Sequence, residues 1–112
     1  MPEETPDAAD MRLRVAFSHV PGIGPVRIAR LVTAFGGLAP AWAAAEPELA
    51  GVLGPALAHT LTRTRRTLDI DRVMERLRRQ RIALLSPEMA SYPPLLRTTQ
   101  APPFLLYVRG DP

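Results

Sequence analysis

Cysteine is absent from this chain, which excludes a disulfide scaffold, a thiolate metal site and a cysteine nucleophile. The absence fits a reducing compartment. Lysine is absent too, and all fourteen basic side chains are arginine. Aromatic residues are only 5% of the sequence, so any core has to be built mostly from Leu, Ala, Val and Ile. No apolar run is long enough to span a bilayer. The opening residues Met1-Pro2-Glu3-Glu4-Thr5-Pro6-Asp7 are acidic where a signal peptide is basic. The expectation is a cytoplasmic protein with no membrane partner and a disordered lead over residues 1–10. His19 and His59 stand far apart with no companion ligands, so no metal is expected. Glu46 and Glu48 lack a partner for acid–base work. No catalytic constellation is visible, and the chain reads as a non-enzyme without a cofactor.

What is present is apolar enough to fold. Hydrophobic residues make up 46% of the 112 positions, enough for one small domain and an appendage. A first helix is expected from an N-cap at Asp10, with Met11, Val15 and Ala16 on its inner side. The segment Val20-Pro21-Gly22-Ile23-Gly24-Pro25 cannot continue it. Pro25 suits the first turn of a second helix, where its missing N–H has no partner to lose. Ile28, Leu31, Val32 and Phe35 then recur at i, i+3, i+4 and i+7, and Gly36-Gly37 ends the run. Two short helices are expected between Leu38 and Leu53, divided at Glu46-Pro47, and Gly54-Pro55 restarts the chain.

From Pro55 to about Arg79 the pattern is helical, but its phase jumps by about two hundred degrees between Leu68 and Ile70 at 3.6 residues per turn. Either this helix is buried on two sides or it breaks near Asp69. Arginines 63, 65, 66, 72, 76, 78, 79 and 81 crowd the segment. They read as a solvated face in which Asp69, Asp71 and Glu75 pair with Arg72, Arg76 and Arg79; a secondary contact with DNA is the minor alternative. Beyond residue 81 the chain turns Pro-rich. Ile82-Ala83-Leu84-Leu85 and Phe104-Leu105-Leu106-Tyr107-Val108 read as buried strands. Trp42 and Tyr107 are expected in the core.

The pattern hydrophobic–Pro–Gly–hydrophobic–Gly around Gly22 and Gly24 carries the chemistry. Glycine opens φ values closed to other residues and removes a Cβ from the path of a ligand. Ile23 between the two can anchor the hairpin in the core. The helix beginning at Pro25 leaves free N–H groups at its positive end, where a phosphate can sit. Ala29 is small enough for two helices to cross closely. Arg27 and Arg30 stand near the mouth. This is the helix-hairpin-helix signature, which binds the sugar-phosphate backbone without reading bases. The candidate DNA-binding residues are Gly22, Ile23, Gly24, Val26, Arg27 and Arg30. A hairpin that merely packs helices is the alternative.

Two motifs in order also resemble the N-terminal part of the DprA family (DNA-processing protein A, Smf). The first is Val20-Pro21-Gly22-Ile23-Gly24-Pro25 with Leu31 and Phe35-Gly36-Gly37. The second is Ile82-Ala83-Leu84-Leu85-Ser86, Tyr92-Pro93-Pro94-Leu95-Leu96 and Ala101-Pro102-Pro103-Phe104-Leu105-Leu106-Tyr107-Val108-Arg109-Gly110. Thr98 and Gln100 depart from the family pattern before the Pro pair. The resemblance implies a mainly α fold: a small helix-hairpin-helix or SAM-like bundle of about five helices over residues 11–80. A Pro-rich extension with two short strands follows over 81–112, the truncated start of a Rossmann-like domain whose strand edges are expected to be unpaired here. It implies a protein that binds and protects incoming single-stranded DNA in natural transformation and helps load RecA, with a homo-oligomer possible in the full-length form. The main single-strand site would then lie beyond Pro112. Two other readings stay open: a protein-docking module for transformation or regulatory partners, and an accessory domain of a nuclease or glycosylase, against which the Tyr-Pro-x-x-Leu segment argues.

Overall fold

Prolines set most of the helix starts. In the computed structural model, which describes residues 6–109, Pro25, Pro47, Pro55 and Pro94 each stand in the first turn of a helix. At that position the ring costs no hydrogen bond and its φ is already helical. The resulting order is α1 (Ala8–Ser18), α2 (Pro25–Phe35), α3 (Leu38–Ala43), α4 (Glu46–Leu53), α5 (Pro55–Thr67), α6 (Ile70–Arg79), β1 (Ile82–Leu85), α7 (Pro94–Arg97) and β2 (Leu106–Arg109). The fold is mainly helical with a two-stranded sheet. Residues 1–5 of the expected disordered lead lie outside the described residues.

The first helix begins earlier than its sequence suggests. Its N-cap is Asp7, whose carboxylate accepts from the Asp10 N–H at 2.8 Å. Residues 8–10 are therefore helical. Asp10 moves into the first turn, where a negative charge meets the positive end of the helix, and it accepts from Arg14 one turn on at 2.7 Å.

The core forms where the faces of α1 to α5 meet. Phe17, Val20, Ile23, Leu31, Ala41, Leu49, Ala58 and Leu61 are all buried. Trp42 stands edge-on to Phe17, with ring centroids 5.0 Å apart and planes at 74°, an arrangement the ring quadrupoles favour. Between α5 and α6 the chain breaks. Leu68 is extended and the Asp69 side chain caps α6 by accepting from the Arg72 N–H at 3.1 Å. The break lets α6 re-aim its apolar side, so Ile70, Val73, Met74 and Leu77 become half-buried as α6 packs on α1 and β1.

Beyond Arg81 the expectation of unpaired strand edges is corrected for one edge of each strand, while the outer edges have no strand partner among the described residues. The strands pair with each other, antiparallel, with Ile82 opposite Arg109 and Leu85 opposite Leu106. The second strand starts two residues later than its apolar run, because Phe104 leaves the strand to pack against the helical core. This strand is not buried as expected: Tyr107 and Val108, on opposite faces, are 42% and 41% exposed, and the Tyr107 hydroxyl is hydrogen-bonded to that of Ser18. The centre of this segment is Tyr92. It is fully buried, donates to the Pro103 carbonyl at 2.9 Å and lies under the Arg97 guanidinium. Burial raises the Tyr92 phenol above its ordinary pKa, partly opposed by the charge of Arg97.

Candidate nucleic-acid interface

The hairpin between α1 and α2 is a turn closed by the Ile23 N–H donating to the Val20 carbonyl at 3.3 Å. Gly22 needs to be glycine for its backbone conformation, since Leu57 meets it only with the movable end of a side chain. Its φ is +88°, and a Cβ there would come within 2.8 Å of Leu57 Cδ2 on α5. Gly24 is different. Its φ of −108° and ψ of −166° are extended, open to any residue, so the expectation of an unusual φ at both glycines is corrected. A Cβ at Gly24 would meet nothing within 4 Å. What its missing side chain provides is an unobstructed approach to the end of α2.

That end is uncapped by any side chain. Pro25 has no N–H, and the Ile28 N–H is already taken by the Gly24 carbonyl at 3.0 Å. The amides of Val26 and Arg27 lie in the first turn, where an α-helix has no internal acceptor to offer. They sit at the positive pole of an 11-residue helix. Val26 is 55% exposed. Arg27 is exposed and folds back, its Nη1 donating to the Gly22 carbonyl at 3.3 Å. Arg30 is exposed one turn further on.

Five of the six sequence-derived site residues therefore lie open to solvent along the hairpin and the first two turns of α2. Ile23 does not, because its side chain is buried in the core, where it fixes the turn and offers a ligand only backbone. Ala29 is also corrected. It does not sit at a helix crossing; it is exposed and lines a cleft.

This cleft, of about 910 Å³, runs between α2 and α4 on one side and the segment 87–104 on the other. Val26, Ala29, Thr33, Val52, Pro102 and Phe104 give it a largely apolar wall. Arg14 stands at its edge as a clasp, donating to Asp10, to Glu88 at 2.7 Å and to the Phe104 carbonyl at 2.9 Å. The sequence holds one faint sign of this role. Arg14 lies four residues after Asp10 and three before Phe17, so it shares a helix side with a carboxylate and an apolar residue.

The arginine-rich segment also departs from the expected pairing. Arg65 is structural, and its Nη1 donates to the carbonyls of Trp42 at 2.5 Å and Ala44 at 2.9 Å, closing the end of α3. Asp71 pairs with Arg12 of α1 at 2.5 Å and not with a neighbour on its own helix. Glu75 meets the expected Arg79 at 3.5 Å and also Arg78 at 2.9 Å.

Among the described residues no group of three or more His, Cys, Asp or Glu side chains is placed to hold a metal. None of the described helices is long and apolar enough to cross a membrane. No family model, no curated protein and no solved structure matches this chain.

Proposed function

We propose that this chain is a non-enzymatic DNA-handling domain that holds the backbone of a single strand at the N-terminus of α2. The observation that carries the reading is the open mouth of that helix: two amides without an internal acceptor, a proline that donates nothing, a glycine with empty space where a side chain would stand, and two exposed arginines. Such an end binds a phosphate through its N–H groups and its dipole, and backbone contacts of this kind carry no sequence information. The DprA-like order of the motifs extends the reading to a larger protein, one that protects incoming single strands in natural transformation and helps load RecA. Gly24→Val tests the local mechanism. Its backbone angles suit a branched residue and no neighbour obstructs a Cβ, so the domain should stay folded while the new side chain blocks the approach of a phosphate. A folded variant that binds an oligothymidylate as well as the parent does would rule out this mouth as the contact.

A second reading is favoured by one observation. The apolar cleft beside α2 has the character of a protein-docking groove, which supports a docking module whose DNA is bound elsewhere. A Val52→Glu variant that keeps DNA binding but loses a transformation partner would support it.

A further inference from the structure

Charge is unevenly spread along this chain. Residues 63–81 hold eight arginines against Asp69, Asp71 and Glu75, a formal charge of +5 in a chain whose total is +3, so the remaining residues sum to −2. The structure then removes the acids that should have quenched this segment. Asp69 is spent capping α6, Asp71 is drawn across to Arg12 of α1, and the one carboxylate of Glu75 is shared between Arg78 and Arg79. No described carboxylate forms an ion pair with Arg63, Arg66, Arg72, Arg76 or Arg81, and all five are exposed.

Their placement follows from the packing of α6. Ile70, Val73, Met74 and Leu77 turn toward α1 and β1, so Arg72, Arg76 and Arg79, at i, i+4 and i+7, form a stripe on the far side. At 1.5 Å per residue the stripe is about 10 Å long, enough to face more than one phosphate of a strand. Guanidinium groups spread over that distance suit an extended polyanion better than a single phosphate, and each can fork onto phosphate oxygens.

We infer that the outward stripe of α6, led by Arg72 and Arg76, is a second nucleic-acid backbone site and supplies most of the electrostatic part of binding. This rests on the reading of the chain as DNA-handling but not on the hairpin being the contact. The occupant is a phosphodiester chain.

The test is the salt dependence of oligothymidylate binding to the whole chain, from low salt upward, for the parent and three paired variants. Arg72→Ala with Arg76→Ala should lower the slope of log affinity against log salt by about 1.4, two contacts at about 0.7 each for a single strand. Alanine is a good helix former, so α6 should survive, as circular dichroism will show. Arg72→Lys with Arg76→Lys should restore the slope, since charge and not shape sets it. Arg27→Ala with Arg30→Ala should change it less than the α6 pair does. An unchanged slope in the α6 alanine pair overturns the inference and, if the Arg27 and Arg30 pair loses slope instead, leaves the hairpin reading standing. A slope loss confined to the α6 pair, with Gly24→Val harmless, supports the inference and sinks the hairpin. A parent chain that ignores oligothymidylate at low salt but binds polyglutamate through Arg72 and Arg76 overturns both in favour of an acidic protein partner.

Discussion

Arg14 Nη2 lies 2.7 Å from Glu88 Oε1, joining the first helix to the loop after β1 across 74 residues of sequence. The same guanidinium holds Asp10 and the Phe104 carbonyl and is only 16% exposed, against 39% for Glu88. One side chain thus clasps the strand pair to the helical bundle.

Arg14→Ala should therefore cost more than Glu88→Ala. Removing the arginine strands a half-buried carboxylate and a carbonyl as well as breaking three bonds, a loss of about 2–3 kcal/mol. Glu88→Ala leaves Arg14 two partners and should cost about 1 kcal/mol or less. Urea midpoints of the two variants give the comparison. Hydrogen exchange should also show the amides of β1 and β2 losing protection before those of α2 in Arg14→Ala. Equal midpoints for the two variants would mean that the clasp carries no weight.

The two hairpin glycines should respond oppositely to alanine. At Gly22 a φ of +88° strains any side chain, and the new Cβ presses on Leu57, so Gly22→Ala should lose about 1–3 kcal/mol. At Gly24 the backbone is extended and the surroundings are empty. Gly24→Ala should be within about 0.5 kcal/mol of the parent. Thermal denaturation of both variants decides the matter, and a costly Gly24→Ala would show that this residue is needed for the fold rather than for access.

Tyr92 should make the chain sensitive to alkali. Its burial raises the folded-state pKa above the ordinary value of 10.0. The stability it contributes is complete below the unfolded pKa and is lost as pH climbs from there through the folded value, because the unfolded phenol ionises first. Tyr107, also raised and chiefly by desolvation, acts in the same direction from a more exposed site. The urea midpoint should hold between neutrality and about pH 9 and fall above about pH 10. Tyr92→Phe should flatten that fall while lowering the midpoint at neutral pH, since the Pro103 carbonyl loses its donor. A fall of equal size in Tyr92→Phe would assign it to other groups.

Much of this architecture was legible because it rests on local chemistry. Pro25 and Pro55 open helices, Gly36 closes one in the left-handed conformation, and the phase jump after Leu68 marks a real break at Asp69. The mouth of α2 was legible for the same reason, since its parts are consecutive in sequence. What could not be read depends on partners far along the chain. Asp71 reaches Arg12, Arg65 closes the end of α3, and Arg14 meets Glu88; spacing on one helix predicts none of these. The pairing of β1 with β2 was hidden in the same way. The two apolar runs were visible, but which edge each would meet was set by the intervening turn built on Tyr92. The two glycines look alike in the sequence, and only their backbone angles separate a residue needed for the turn from one that keeps an approach open.

The central claim is that the amides of Val26 and Arg27 hold a phosphate. Amide chemical shifts of the labelled chain, followed as an oligothymidylate is added at low salt, test it most directly. The expected result is a saturable shift of the Val26 and Arg27 N–H signals, larger than that of buried amides such as Leu49, reversed by added salt and absent in Gly24→Val. Shifts confined to residues 63–81, with Val26 and Arg27 unmoved through saturation, would contradict it.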